Sequence, residues 1–428
     1  MNLITKRIRG MQDVLPEQGK EWETIEKVMK EESELYGFKF VRTPVLEHTE
    51  LFERSVGDTS DVVEKEMYTF SDKGNRSVTL RPEGTAGIMR AVLENGLYNT
   101  ALPLKLMYVS SCYRYEKPQS GRYREFFQFG LEIIGSTEAS ADVNLICAAS
   151  SILKRLGIKS VNLEINSIGC SDCRKKFNDA LKNYFENHKN GLCKTCIDRL
   201  SRNPMRIFDC KNPECGKICS EAPIILDYIC KDCSLHFESL KNLLKTAKID
   251  YKINPKIVRG LDYYSKTVFE FVCDVDGSAL TVCGGGRYDG LSEIMGGPSL
   301  PAIGFGMGME RILAVMKSQN ALFEKSQEPE IYIAPVGEKA KLKALELCEA
   351  LRHSSIFAET DIMGRNLKSQ MKYANKIGAK YTLIIGDEEL DSGKAKIKEM
   401  ENSKESEIAL NENFINNFLD IQFESYRI

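Results

Sequence analysis

Between Cys112 and Ile134 the chain alternates in a way that predicts a β-hairpin, with two runs rich in aromatic and β-branched residues flanking the turn-forming cluster Lys117, Pro118, Gln119, Ser120 and Gly121. Successive strand side chains point to opposite faces. Arg114 and Glu116 therefore share a face, and after the turn so do Arg122, Arg124, Phe126, Gln128 and Glu132. Tyr113, Tyr115, Tyr123, Phe127, Phe129, Leu131 and Ile133 form an apolar underside. Charge on a strand is commonly a solvated face. The alternative is a ligand site: Gly130, between Gln128 and Glu132, removes bulk where a ligand could approach the backbone. Three arginines and one aromatic ring suit a nucleotide, guanidinium forks for phosphate and a ring for the base.

Elsewhere the pattern is helical or extended in turn. Trp22, Ile25, Val28, Met29, Leu35 and Tyr36 follow helical spacing, Gly37 is placed as a C-cap, and Phe38 to Val45 reads as a strand broken at Pro44, hence at a sheet edge. Such a pair is either an ordinary core element or one that two subunits share. VTLRPEGTAGIMR, from Val78, reads as a strand, a Pro/Gly turn and a helix beginning near Thr85. That puts Glu83 on a loop where it can accept from a ligand ammonium, while capping alone also accounts for Thr85. A helix over 139–156 follows the hairpin. From residue 258, VRGLDYYSKTVFEF gives a turn and a strand, then Gly284, Gly285 and Gly286 mark either a tight turn or a close approach by a ligand or another backbone. In AIGFGMGMERILAVM, from Ala302, glycines at 304, 306 and 308 leave one strand face bare, where a flat group such as adenine could lie beneath Arg311. After a linker over 318–330, buried-strand runs alternate with helix, and Arg365, Lys368, Lys372 and Lys376 recur as one basic ridge. The ridge is a solvated face or a phosphate-backbone contact.

Composition narrows these alternatives. At 428 residues with a net charge of -2, the chain has room for two or three domains and is not a wholesale polyanion binder, so any nucleic-acid contact is a local patch. Its start lacks the apolar stretch of a signal peptide, and no run approaches about 18 apolar residues. A cytoplasmic protein with no membrane contact is expected. Nine of the fourteen cysteines fall between Cys170 and Cys233, marking a separate module. Paired Cys-x2-Cys knuckles suit a structural zinc ion. Spacing leaves the ligand choice open, and the set expected is Cys193, Cys196, Cys230 and Cys233. Neither a Walker loop nor a G-x-G-x-x-G occurs, so ATP, if bound, lies on an antiparallel sheet.

These stretches resemble a known family. The helix and strand around Gly37 to Pro44, the Arg114-x-Glu116 hairpin and the alternating-glycine strand before Glu310 and Arg311 are similar to the three motifs of class II aminoacyl-tRNA synthetases. RGLDYY from Arg259 and GGGRYDG from Gly284 resemble the two signatures of the histidyl-tRNA synthetase family, and IRGMQDVLP from Ile8 and GRNLKSQMKYANKIGAKY from Gly364 resemble its start and its anticodon-binding domain. The resemblance implies an α+β fold: a six-stranded antiparallel sheet with flanking helices, a Cys-rich insertion and a C-terminal mixed-sheet α/β domain. The boundaries expected are 1–168 and 251–325 for the two parts of the catalytic domain, 169–250 for the insertion and 329–428 for the anticodon-binding domain.

It further implies a homodimeric histidine-tRNA ligase, with ATP, L-histidine and tRNA(His) as substrates and Mg²⁺ as cofactor. Carried over by position, Arg114, Arg259 and Gln128 are catalytic. Histidine meets Glu83, Gly84, Thr85, Arg114, Gln128, Glu132, Arg259, Tyr263 and Tyr264, and ATP meets Arg114, Glu116, Arg122, Phe126 and Arg311. tRNA meets Lys117, Gln119, Arg365, Lys368 and Lys372. Lys117 stands where the family pattern leads one to expect arginine, which keeps the charge but loses the fork. Two rivals share the motifs: a non-catalytic regulatory paralogue serving histidine biosynthesis, and a synthetase of the same subclass for another amino acid.

Overall fold

The computed structural model describes residues 4–57, 60–118, 121–257, 259, 261–275, 277–324 and 327–425. The chain divides into two compact units after Glu324. The first contains strands β1 (Lys39–Phe40), β2 (Leu46–His48), β3 (Tyr68–Ser71), β4 (Ser77–Leu80), β5 (Leu104–Tyr113), β6 (Glu125–Ile134), β7 (Val161–Ser167), β8 (Lys252–Ile253), β9 (Ser265–Val275), β10 (Ser278–Arg287) and β11 (Ala302–Gly308). Its helices are α1 (Pro16–Leu35), α2 (Thr49–Val56), α3 (Thr85–Glu94), α4 (Ala139–Arg155), α5 (Ser171–Asn187), α6 (Lys194–Arg202), α7 (Pro213–Ser220), α8 (Lys231–Thr246), α9 (Leu291–Ile294) and α10 (Met309–Ser318).

Eight strands form one sheet in the order β1-β5-β6-β11-β10-β9-β7-β8. The inner six are antiparallel throughout. The short edge strands β1 and β8 join in parallel and make the sheet mixed. Alternation along the strands assigns the two faces. Phe129, Leu131 and Ile133 of β6, Phe269 and Phe271 of β9 and Phe305 and Met307 of β11 point into a core with residues of α1, α4, α8 and α10. Leu106, Tyr108, Ile134 and Val268 point the other way, into a core shared with α3 and α5. The insertion therefore packs on both faces, through α8 on one and α5 on the other.

Two expectations are corrected. The strand over 38–45 is only Lys39–Phe40; beyond Pro44, which has no N–H to give a ladder, the chain changes sheet, and Leu46–His48 pairs with β4 in a separate sheet ordered β2-β4-β3. The hairpin strands also stop early, at Tyr113 and Glu125. Arg114, Glu116, Arg122 and Arg124 lie on the intervening loop because its backbone finds partners elsewhere: Tyr115 N–H donates to Glu66 O (2.7 Å) and Arg124 N–H to Gly10 O (2.7 Å). Tyr115 is exposed, under the Arg124 guanidinium at 3.8 Å, and is not part of the apolar underside.

The arginine of GGGRYDG is structural. Arg287 is wholly buried and pairs with buried Asp142 (2.7 Å), whose other oxygen accepts from Thr267 Oγ1 (2.6 Å) and faces His236 Nε2 (2.8 Å). This network joins β10, β9, α4 and the insertion helix α8, and each charge in it is matched, as a buried charge must be.

The second unit contains β12 (Ile331–Pro335), α11 (Glu338–His353), β13 (Ala358–Thr360), α12 (Leu367–Lys376), β14 (Tyr381–Ile385), α13 (Asp387–Ser392), β15 (Lys394–Glu399), β16 (Glu405–Ala409) and α14 (Phe414–Ser425). Its sheet runs β13-β12-β14-β15-β16, parallel in the first three strands and antiparallel in the rest. Among the described residues, no helix is long and apolar enough to cross a membrane.

Candidate active site

The site is built on the face of the sheet opposite α1 and α4. Register places Gln128, Gly130 and Glu132 of β6 against Gly308, Gly306 and Gly304 of β11. A methyl group at Gly304 would overlap the Glu132 carboxylate, one at Gly306 the Gln128 amide, and one at Gly130 the Tyr108 ring. The space that the glycines open is thus filled by the protein's own polar side chains. The glycine pattern predicts room for a ligand at Gly130 and for a flat base along β11; only at Gly308 is the strand face open, with Arg311 carbons the nearest atoms, from 3.6 Å. The triple glycine serves close approach too: a Cβ on Gly284 would strike the Arg259 guanidinium, and one on Gly286 the Thr267 carbonyl and the Tyr264 ring.

Two buried carboxylates organise the polar end. Glu132 accepts from Thr85 Oγ1 (2.8 Å) and Tyr108 OH (3.2 Å) at one oxygen and from Tyr288 OH (2.5 Å) at the other. Burial pushes its pKa up to about 8, against the downward pull of the Tyr288, Thr85 and Tyr108 hydroxyls. Glu83 accepts from Thr85 N–H (2.6 Å) and Ala86 N–H (2.8 Å), so it is Glu83 that caps α3, while the Thr85 hydroxyl is committed to Glu132. Burial raises Glu83 as well. Gln128 Oε1 accepts from Gly84 N–H (3.2 Å).

The cations are held in place by partners. Arg114 Nε donates to Pro82 O (2.8 Å), and its guanidinium lies 5.3 Å from the Phe126 ring centroid. Arg122 pairs with Glu116 (3.2 Å). Arg259 is ion-paired with Glu270, whose second oxygen accepts from Thr281 Oγ1 (3.2 Å). Arg311 donates to Thr281 O (2.9 Å) and Gly121 O (3.3 Å), and burial draws its pKa down. Glu310 accepts from Phe127 N–H (2.9 Å), with its pKa pushed up to about 7 by burial.

Arg114, Glu116, Arg122, Phe126, Gln128, Arg259, Tyr263, Tyr264, Arg311, Glu83 and Thr85 all line one cavity of about 390 Å³. Gly84 and Glu132 stand behind its wall, joined to it through Gln128 and Thr85. Lys117 is exposed on the loop after Glu116, and Gln119 lies outside the described residues. Arg365, Lys368 and Lys372 belong to the second unit. The two lysines are exposed on α12, whereas Arg365 precedes its N-cap, pairs with Asp361 (2.9 Å) and stacks 4.3 Å from the Tyr373 centroid. Sequence reasoning missed Tyr108, Tyr288, Glu270, Thr281 and Asp209. Tyr288, as part of GGGRYDG, and Glu270, on the strand of VRGLDYYSKTVFEF, lie in stretches that the pattern singles out; Tyr108, Thr281 and Asp209 carry no such signal.

The expected metal set of Cys193, Cys196, Cys230 and Cys233 is not what the fold brings together. Cys170 and Cys173 gather with Cys230 and Cys233, and Cys193 and Cys196 with Cys210 and Cys215. The reason is nesting. Cys230 and Cys233 open α8 where the insertion returns to its starting point at α5, while Cys193 and Cys196 open α6 inside it. Each set has the donor chemistry of a zinc site.

A family model described as "Histidyl-tRNA synthetase" matches residues 10–172 and 229–312, and one described as "Anticodon binding domain" matches residues 330–417. The chain is 52% identical over 403 residues to a histidine-tRNA ligase of Clostridium novyi, covering 94% of this chain and 96% of that one. It is 51% identical over 408 residues to one of Acetivibrio thermocellus, covering 95% and 98%. The crystal structure of the apo histidyl-tRNA synthetase of S. aureus superimposes with a TM-score of 0.83 at 38% identity, over 97% of this chain and 100% of that one. Family match, near-complete length and the assembled cavity agree, and the chain belongs to the histidyl-tRNA synthetase family, the histidine-tRNA ligases.

Proposed function

We propose that this chain, a histidine-tRNA ligase by family, activates histidine with ATP in the cavity and passes the acyl group to the 3′ end of tRNA(His), both steps resting on alignment and fixed positive charge. The observation that best supports this reading is the convergence of Arg114, Arg259 and Arg311 with Glu83, Thr85 and Gln128 on one cavity wall. Arg114 and Arg259 clamp the α-phosphate and the histidine carboxylate as charge develops between them. Glu83, Thr85 and Gln128, with Gly84 behind them, hold the α-amino group. Glu132 and Tyr264, backed by Tyr263, bracket the imidazole, whose N–H takes the place of one hydroxyl now donating to Glu132. Phe126 and Arg311 sandwich the adenine, and Arg122, steadied by Glu116, reaches the outer phosphates. Mg²⁺ is a hard cation that takes oxygen ligands, and Glu116, Glu270 and Glu310, on the same wall, would supply them. Beside Arg122 it would screen the phosphate charge.

Lys117 and Gln119 meet the acceptor end, and Arg365, Lys368 and Lys372 meet the tRNA backbone. Residues 1–168 and 251–325 form the catalytic domain, 169–250 the insertion and 329–428 the anticodon-binding domain, a division supported by the family match leaving off at residue 172 and resuming at 229. A homodimer is supported by exposed Leu35, Phe40, Val45 and Leu46 beside the edge strand β1. The cytoplasm, where tRNA and ATP are at hand, is its place of work; fourteen cysteines outside any disulfide suit a reducing compartment. The test is ATP-pyrophosphate exchange with each of the twenty amino acids in turn. Exchange is expected with histidine alone, and exchange driven best by another amino acid, or by none, overturns the reading.

A further inference from the structure

We infer that the insertion is a two-metal module, in which Cys170, Cys173, Cys230 and Cys233 hold one zinc ion and Cys193, Cys196, Cys210 and Cys215 hold a second. In each set the four sulfurs lie within 4.8 Å of one another. The separations Cys170–Cys173 (3.5 Å), Cys173–Cys233 (3.9 Å) and Cys193–Cys210 (3.8 Å) match those of four sulfurs at the corners of a tetrahedron around zinc, about 3.8 Å apart for a zinc–sulfur bond of about 2.3 Å. None of these cysteines is in a disulfide. Thiols are weak hydrogen-bond partners and give one another little reason to crowd. A divalent ion supplies that reason, since ligands deprotonated on binding are drawn to a common charge.

The local structure is arranged for thiolates. Cys170, Cys193 and Cys230 are the N-caps of α5, α6 and α8, so that Cys173, Cys196 and Cys233 fall three residues in; Cys215 holds the same position on α7. Helix N-termini favour negative charge. Backbone donors add to this in both sets, Cys230 N–H to Cys173 Sγ (3.0 Å) and Cys193 N–H to Cys215 Sγ (3.2 Å), the kind of outer hydrogen bond that orients metal ligands. All-sulfur sets leave no open position for a substrate, so both ions are structural.

The two sites differ in what they fasten. The second lies wholly within 173–228, the stretch that the family model leaves unmatched, and closes the insertion on itself. The first clasps the two ends of that stretch. Its helix also reaches the cavity: Arg174, next to Cys173, donates to Asp262 O (3.3 Å) and Tyr264 O (2.9 Å). On the reading that Tyr264 brackets histidine, the first ion positions the histidine pocket from outside it.

The experiment is metal analysis by mass spectrometry on the full-length chain, expressed with zinc and desalted. Two zinc ions per chain are expected, falling to one in Cys233→Ser and to one in Cys196→Ser. A native chain carrying one zinc ion, none, or iron in place of zinc overturns the inference, whether or not the variants fold. For the first site, Cys233→Ser should raise the Michaelis constant for histidine more than that for ATP, and Cys233→His, which restores a nitrogen ligand, should recover both the second ion and the lower constant. A zinc count of two with equal changes in the two constants leaves the metal sites standing and removes the link to histidine; a zinc count of two with no histidine-dependent exchange overturns the proposed function alone.

Discussion

The arginines of the cavity and the lysines of α12 are both cations proposed to meet a nucleotide or a nucleic acid, the arginines ATP and the lysines the tRNA backbone, yet the protein holds them in opposite ways. Arg114, Arg122, Arg259 and Arg311 are each tied to a carboxylate, carbonyl or ring at a defined distance, and Arg259 and Arg122 rest in ion pairs with Glu270 and Glu116. Lys368, Lys372 and Lys376 are exposed and make no ion pair among the described residues. The difference fits the tasks proposed for them. A cation that stabilises a transition state must stand at the right point before charge appears, in a site with little water to screen it. A cation that follows a nucleic-acid backbone acts within a Debye length of about 8 Å at physiological salt and gains by releasing counterions, so mobility costs it little. Paired arginines should therefore give large, chemistry-specific losses when removed, and free lysines small, salt-dependent ones.

Arg259→Ala is the strongest test of the first half. Adenylate formation should fall by about 3 kcal/mol or more in the barrier, on the order of a hundredfold, while the fold persists because Glu270 keeps its bond from Thr281. Near-normal pyrophosphate exchange in a folded variant would remove Arg259 from the mechanism. Gly284→Ala asks whether position, and not charge alone, matters. The new Cβ would occupy the space of the Arg259 guanidinium, so the charge stays but must move, and a loss of about tenfold in exchange is expected. If Gly284→Ala matches the native rate, the approach of Arg259 to β10 is incidental.

What was legible in the sequence is what repeats locally. The alternation of β6, the glycine spacing of β11 and the turn before α3 each depend on a few neighbouring residues, and they led to Phe126, Gln128, Gly306, Gly308, Glu83 and Thr85 of the cavity wall. What was hidden depends on register and on partners far apart in the chain. Tyr108 and Tyr288 meet at Glu132 only because β6 pairs with β5 on one side and on the other with β11, which in turn pairs with β10, the strand that Tyr288 follows. Period-2 patterning cannot reveal which tyrosine lies across from a carboxylate. The same limit explains the cysteines: spacing identifies knuckles, but which knuckles meet is decided by where α5 and α8 begin. The pattern over 38–45 runs past the observed strand because Pro44 permits extended backbone while denying it a ladder partner.

Glu132→Gln sharpens the comparison from the anionic side. It should raise the Michaelis constant for histidine several-fold and that for ATP little, since a charged imidazole beside Glu132 lowers its pKa and draws off its proton, leaving a carboxylate that accepts from the ring N–H, a charge that glutamine cannot supply. Equal change in both constants would mark Glu132 as structural. The variant also carries a pH signature. With its pKa raised from 4.5 to about 8, the folded chain keeps on Glu132 a proton that the unfolded chain has shed. That protonation contributes stability fully below about pH 4.5, and the contribution is lost as pH rises toward about 8. Glutamine cannot titrate, so the fall in unfolding free energy across this window should be shallower in the variant. Denaturant titrations at several pH values check it.

The smallest effect is expected on α12. If its lysines follow tRNA, Lys368→Glu combined with Lys372→Glu should raise the apparent Michaelis constant for tRNA by a few-fold to tenfold. The dependence of binding on salt should become shallower by up to about one unit of slope for each phosphate that goes unneutralised. Adenylate formation should be untouched, because it needs only ATP and histidine and the cavity belongs to the other unit. A solvated helix face predicts no change in either assay, since replacing exposed lysines commonly costs within about 0.5 kcal/mol. The salt series separates the two. If the lysines neutralise phosphates, the variant converges with the native chain at high salt, where screening has already silenced them, whereas a defect that persists at every salt concentration points to damage to the helix. A double variant that charges tRNA with native kinetics across the series would leave α12 without a role in the complex, and the contrast with the cavity arginines would then be one between working charges and solvated ones.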